Sequence, residues 1–364
     1  MDISRRDFAG LSIAAAGSAL VAPGPAIAAV EAGQGEVSGG GGGGDGILVP
    51  QHFVPTPKTI SPAAQAMLRM KLPVGGVNPP DSLSDTAGWK AFQEASARGM
   101  LAMVEPFKAK YPADVATHQL SAFKLYEVTP KNVKPGKGVM LYIHGGGFST
   151  GGGDAAIFAA MQFAHYADAK VYSVDYRMLP DVQFPVPLDD TLEAYRFVLQ
   201  RHGRRNVAIY GPSAGANLAA ALVLKARDTG VPMPAACAMH SCPSDMSDSG
   251  DSANTNYMVD IILREMKPGL STNYAGKADL KNPYLSPVHG DFSKGYCPTL
   301  MTTGTRDLLL SGTVRLHRAM VKAGVQAEIH VWEAMTHAPF FAAPEEHELY
   351  ELTVNFLHRH LRAA

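Results

Sequence analysis

The chain predicts an α/β fold, with a mostly parallel central sheet and helices on both faces, and three observations carry that prediction. The apolar run Gly138-Val139-Met140-Leu141-Tyr142-Ile143 and the run Asn206-Val207-Ala208-Ile209-Tyr210 each read as a strand delivered straight into a glycine-rich turn. Ala214 through Ala226, after the second turn, is rich in alanine and leucine and free of proline, as a helix requires. Two further strand-like runs, Pro298 to Gly304 and Glu328 to Trp332, each end in a loop carrying an ionisable residue.

The amino terminus reads as an address rather than as fold. Ser4-Arg5-Arg6-Asp7-Phe8, the apolar stretch Ala9 to Val21 and the small-residue site Ala26-Ile27-Ala28 occur in the order of a twin-arginine signal, which sets residues 1–28 apart. The apolar stretch is too short to span a bilayer, and no cysteine near the cleavage site suggests a lipid anchor. The expected location is periplasmic or secreted. Residues 29–58, with six consecutive glycines from Gly39 to Gly44, have the composition of a flexible linker. The remainder, residues 59–364, suits one domain with a two-faced core.

Ahead of the core strands, Ser61 to Leu72 and Asp85 to Lys110 read as helices. The glycine run after Ile143 begins His144-Gly145-Gly146-Gly147-Phe148. It brings bare backbone N–H groups within reach of a substrate carbonyl oxygen. Gly211-Pro212-Ser213-Ala214-Gly215 has the surroundings of a nucleophile elbow, a strand-to-helix turn too tight for side chains two positions either side of the serine. Gly145, Gly146 and Ala214 are therefore the expected oxyanion donors. A serine hydroxyl needs a base to take its proton and a carboxylate to orient that base, in the chain order serine, acid, histidine. Asp307, on the loop after Pro298–Gly304, is the acid candidate. His337, on the loop after Glu328–Trp332, is the base candidate. Catalytic groups of open parallel sheets gather at such C-terminal strand ends.

Several neighbours have plainer readings. His144 reads as scaffold for the glycine turn, and Arg177 as a structural ion pair with Asp175 or Asp181. Asp245, Asp248 and Asp251, in a serine- and aspartate-rich loop after the strand Ala235–His240, compete with Asp307 for the acid role. Asp307 could also cap a helix, with Ser311 sharing that role. His317 and His330 fall inside a predicted helix and strand. With 32 basic and 33 acidic residues, the charge balance points to no nucleic-acid partner. Cys237, Cys242 and Cys297 are odd in number and lack metal-site spacing, so neither a metal nor another cofactor is expected, and buried thiols are.

From about residue 60 to 362 the chain resembles the hormone-sensitive-lipase-like family of α/β-hydrolase esterases. Four ordered stretches carry the likeness: His144 to Phe148, the serine elbow, Asp175-Tyr176-Arg177 with Phe184-Pro185 and Asp189, and Asn217-Leu218-Ala219. Asn282 to Asp307 further resembles bacterial lactone or acetyl-ester hydrolases. Pro212, Ala216 and Ala338 depart from the family's usual residues, but Pro212's missing N–H is not one of the expected oxyanion donors. The resemblance implies an α/β-hydrolase fold with a helical cap over the serine, formed near residues 59–115 and 244–290. It also implies hydrolysis of a small-molecule ester of short to medium chain, without a membrane anchor. Monomer and dimer both stay open. An amidase or formamidase with the same three residues, or a non-catalytic ligand-binding protein of the same fold, are the alternatives; the latter usually lacks the base that His337 supplies here.

Overall fold

The structure is a computed structural model describing residues 53–70, 79–131, 133, 138–264 and 268–361. The expected signal and all but the end of the expected linker therefore lie outside the described residues. At that end, residues 53–58 carry no helix or strand, yet the Arg306 guanidinium donates to the Pro55 carbonyl at 2.7 Å, so here the chain is held rather than free.

Eight strands form one sheet: β1 (Ala113–Gln119), β2 (Lys124–Pro130), β3 (Val139–Ile143), β4 (Lys170–Asp175), β5 (Val207–Pro212), β6 (Cys237–His240), β7 (Thr299–Gly304) and β8 (Ala327–Trp332). Their spatial order is β1-β2-β4-β3-β5-β6-β7-β8. The β1–β2 and β2–β4 pairs are antiparallel and every other pair is parallel, which bears out the mostly parallel sheet.

Alternation along the strands builds a core on each face. Val139, Leu141 and Ile143 of β3, with Val207 and Ile209 of β5, enter one core; Met140, Tyr142, Ala208 and Tyr210 enter the other. The first face is covered by α4 (Val186–His202), α5 (Ala214–Asp228) and α8 (Leu310–Lys322), and the second by α3 (Asp154–Ala167) and α9 (Pro344–His360).

The helices ahead of the sheet start where capping side chains stand. Ser61 Oγ accepts from the Ala64 N–H at 3.1 Å and opens α1 (Pro62–Leu68), and Asp85 Oδ1 accepts from the Gly88 N–H at 2.9 Å and opens α2 (Thr86–Val104). Both are shorter than expected: α1 stops at Leu68, and the stretch expected to continue α2 becomes a 3₁₀ turn, Glu105–Lys110, at Pro106. Moreover α1 packs on the chain after β8 and on α9, through Ile60, Ala64, Met335, Phe340 and Leu349. It buttresses the loop that carries His337. The segment between β6 and β7 holds α6 (Ser252–Thr255) and α7 (Pro268–Ala275). Among the described residues no helix is long and apolar enough to cross a membrane.

Candidate active site

Five neighbouring strand tips, those of β3, β5, β6, β7 and β8, deliver the site. Pro212 ends β5, and Ser213 follows with φ 55° and ψ −126°, a conformation that costs a non-glycine residue about 1–3 kcal/mol. It is held there because the Ser213 N–H donates to the His240 carbonyl at the tip of β6, at 2.8 Å, while α5 begins at Ala214. The flanking glycines are required sterically: a Cβ on Gly211 would lie 2.3 Å from the Gly215 carbonyl oxygen, and one on Gly215 would lie 1.9 Å from that of Ile143.

The structure brings the three sequence candidates together. Ser213 Oγ lies 2.9 Å from His337 Nε2, and Asp307 Oδ1 lies 3.5 Å from His337 Nδ1. Asp307 is fully buried; it receives the Thr303 hydroxyl at 2.6 Å and the Leu309 N–H at 2.8 Å, but α8 starts at Leu310 with no side-chain cap and Ser311 inside it, so neither residue takes the helix-cap role expected for them. Burial pushes the Asp307 carboxyl up, but the nearby, positively chargeable His337 and the Ser241 and Thr303 hydroxyls outweigh it, leaving the carboxyl below its ordinary value. For His337 burial pushes down, while the adjacent carboxylate of Asp307 and the charge of Asp260 prevail, so its pKa is raised.

Gly145 faces the elbow so closely that a Cβ on it would meet Ser213 Cβ at 3.1 Å. Among the described residues, neither the Gly146 N–H nor the Ala214 N–H has a protein acceptor. His144 turns away: its Nδ1–H donates to the Gly145 carbonyl at 2.7 Å and its ring stacks on Tyr176 at 4.2 Å, the scaffold arrangement.

The rival aspartates go elsewhere. Asp245 Oδ2 accepts from Arg315 at 2.7 Å, with His289 at 3.5 Å. Asp248 caps its own loop by accepting from the Gly250 N–H at 2.8 Å, and Asp251 is exposed. Arg177 does form a structural ion pair, but with neither expected partner. Its Nε and Nη2 grip buried Asp190 of α4 at 3.0 and 2.8 Å, because α4 runs back beneath the loop that follows β4. Asp175 instead receives the Tyr126 hydroxyl and the Gly153 N–H. The three cysteines are buried thiols.

Three groups around His337 were not foreseen. Ser241, fully buried with φ 51°, places its Oγ 2.5 Å from His337 Nδ1. His240 donates from Nε2 to the His337 carbonyl at 3.1 Å, and burial pushes its pKa down to about 4, so the ring is neutral. Asp260, also fully buried, accepts the His337 and Leu308 N–H groups on Oδ2, both at 3.0 Å, and those of Ile262 and Leu263 on Oδ1 at 2.9 and 3.2 Å. His240 and Ser241 shared one readable cue, their place at the end of a strand beside the elbow strand; Asp260 had none.

A cavity of about 500 Å³ opens above Ser213. Phe92 and Met100 of α2 line it together with Met246, Ile262, Leu263 and Leu270 from the segment between β6 and β7. The Phe148 ring beside the glycine turn stacks on Tyr274 of α7 at 3.7 Å, joining that segment to the turn. Trp89 packs into the main core and Tyr257 and Met258 are exposed, so these three do not serve the cavity. Among the described residues no cluster of three or more His, Cys, Asp or Glu is arranged to hold a metal ion.

The chain as a whole is similar to known proteins. A family profile described as the alpha/beta hydrolase fold matches residues 140–341. The chain is 32% identical over 202 residues to an acetyl-hydrolase of Streptomyces hygroscopicus, covering 54% of this chain and 67% of that protein. It is 33% identical over 208 residues to the esterase LipI of Mycobacterium tuberculosis, covering 55% and 64%. The match therefore spans about two thirds of these relatives' length. Among solved structures, one of an esterase superposes with a TM-score of 0.80 at 31% identity, covering 87% of this chain and 99% of that one. Another, of an esterase from the bacterial hormone-sensitive lipase family, gives 0.68 at 26% identity, covering 83% and 99%.

Proposed function

The chain belongs to the α/β-hydrolase family, in its hormone-sensitive-lipase-like esterase branch, and is a carboxylic ester hydrolase; from that premise we propose that Ser213 is the nucleophile, His337 the general base, Asp307 the orienting acid, and Gly145, Gly146 and Ala214 the oxyanion donors. The observation that carries this reading is the 2.9 Å approach of His337 Nε2 to Ser213 Oγ. As Oγ adds to the ester carbonyl carbon, its proton passes to Nε2 and the carbonyl oxygen becomes an oxyanion facing the glycine turn. Collapse of that intermediate expels the alcohol oxygen, which takes the proton from Nε2 and leaves an acyl group on Ser213. A water, deprotonated by His337, then releases the acid and restores the serine hydroxyl.

The segments near α2 and between β6 and β7 are proposed as the cap, and the cavity beneath them sets the substrate. No Asp, Glu, Lys or Arg lines it among the described residues, which favours neutral acyl and alcohol groups. An apolar pocket gains about 1 kcal/mol per accommodated methylene until its wall is met. Short-to-medium-chain esters, open acetyl esters and lactones included, fit that description. Relatives named as an acetyl-hydrolase and an ethyl acetate hydrolase support the short end. In a chain-length series of p-nitrophenyl esters, acetyl to hexanoyl members should turn over well and the palmitoyl ester hardly at all. Efficient cleavage of emulsified long-chain triglyceride, with weak turnover of the butyrate ester, would make the protein a lipase instead.

Export through the twin-arginine route is proposed on the order of Arg5-Arg6, the apolar stretch and Ala26-Ile27-Ala28. Fractionation of cells producing the Arg5→Lys, Arg6→Lys double variant should find uncleaved precursor in the cytoplasm. Unimpaired export of that variant would remove the assignment.

A further inference from the structure

We propose that Ser241 is a positioning residue of this hydrolysis, its hydroxyl oxygen accepting the proton on His337 Nδ1 and so fixing the tautomer and orientation of the base; the inference rests on the triad reading above. The distances put it there. Ser241 Oγ stands 2.5 Å from His337 Nδ1, whereas the nearest Asp307 oxygen is 3.5 Å from the same nitrogen, beyond the usual 2.7–3.2 Å of an N–H···O bond. Ser241 is also among the groups that hold the Asp307 carboxyl below its ordinary value. Its main chain is fixed, since the Ser241 N–H donates to the Thr302 carbonyl of β7 at 2.8 Å and the residue sits at φ 51° at the tip of β6.

Counting protons decides the direction of the link. A neutral imidazole carries one proton, and on the triad reading Nε2 must be free to accept from Ser213 Oγ at 2.9 Å, so that proton stands on Nδ1 and the hydroxyl 2.5 Å away receives it. When Nε2 takes the Ser213 proton, Nδ1–H stays on Ser241 Oγ, the Ser241 proton stays on its own oxygen, and no proton reaches Asp307. The opposite arrangement, with Ser241 donating to Nδ1, would hold the base in the tautomer that cannot accept from Ser213. Of the titratable side chains, Asp307 faces the ring, while Asp260 and His240 touch only its main chain.

Two variants separate the hydroxyl from the backbone. Ser241→Ala and Ser241→Gly both lose the hydroxyl, but glycine adopts a positive φ without strain, so Ser241→Gly keeps the turn even where Ser241→Ala folds poorly. With p-nitrophenyl butyrate, both should lose roughly 10- to 100-fold in kcat with little change in KM. That is far short of the ~10⁴-fold cost of removing an orienting acid. The acid limb of the kcat/KM profile should also move to lower pH, because the imidazolium has lost an acceptor. Wild-type activity in Ser241→Gly, a faster enzyme in either variant, or a slower one whose acid limb stays or rises would overturn the role. His337→Ala, run alongside, tells the two readings apart: an active His337→Ala refutes the triad itself, whereas an inactive one beside wild-type-like Ser241 variants refutes only the link.

Discussion

Ser213→Ala and His337→Ala should each lower kcat by about 10⁴- to 10⁶-fold with the fold intact, and the double variant should be little worse, because the two residues act as a unit. The reason is geometric. Nε2 is the one base within reach of Oγ among the described residues, so removing either partner abolishes the same proton transfer. Asp307→Asn should lower kcat severely, and Asp245→Asn should leave catalysis near wild type, since Asp245 is paired with Arg315. The reverse result would move the acid role to Asp245. The wild-type pH profile follows from the same contacts. His337 must be neutral to accept a proton, and Asp307 raises its pKa above the ordinary 6.5, so kcat/KM should climb with a midpoint above pH 6.5 and then level off. A profile flat across pH 6 to 8 would remove His337 as the base.

Gly215→Ala should have the largest effect on the folded state of any single-methyl addition near the site. Its Cβ would stand 1.9 Å from the Ile143 oxygen and 2.7 Å from the His144 oxygen, both main-chain atoms of the central strand and its exit. No rotamer change relieves such an overlap, so α5 must move off β3 and carry Ser213 with it. A stability loss on the order of 4 kcal/mol, in the exceptional range for one substitution, should show as a clearly lowered melting temperature. A soluble fraction should in addition lose at least ~10²-fold in kcat, because the serine and the glycine turn would no longer face each other. Wild-type melting and turnover in Gly215→Ala would show that the elbow tolerates a side chain there, contrary to its packing.

What could be read from the chain was whatever is written in local chemistry. Gly211-x-Ser213-x-Gly215 encodes a turn, and the loops carrying Asp307 and His337 follow runs whose apolar character marks them as strands. What could not be read depends on contacts between distant segments. Ser241 meets His337 across 96 positions and Asp260 meets it across 77, and neither residue type announces such a partner. Arg177 shows the same limit. Asp175 and Asp181 are its near neighbours in sequence, but the return path of α4 sets Asp190 against it. The pattern of α1 correctly signalled a helix; that it braces the His337 loop follows from Met335 and Phe340 folding back onto Ala64, which periodicity does not encode.

Asp260 makes pocket and base interdependent. It belongs to the segment whose Ile262 and Leu263 line the cavity, yet two of its four accepted N–H groups come from His337 and Leu308 on the sheet side. A chimaera that exchanged residues 244–290 for a relative's segment without an equivalent carboxylate would leave those two N–H groups buried and unpaired, at about 1–3 kcal/mol each. Remodelling this esterase for a new substrate therefore means carrying Asp260 along as part of the catalytic apparatus, however freely the residues that shape the pocket are changed.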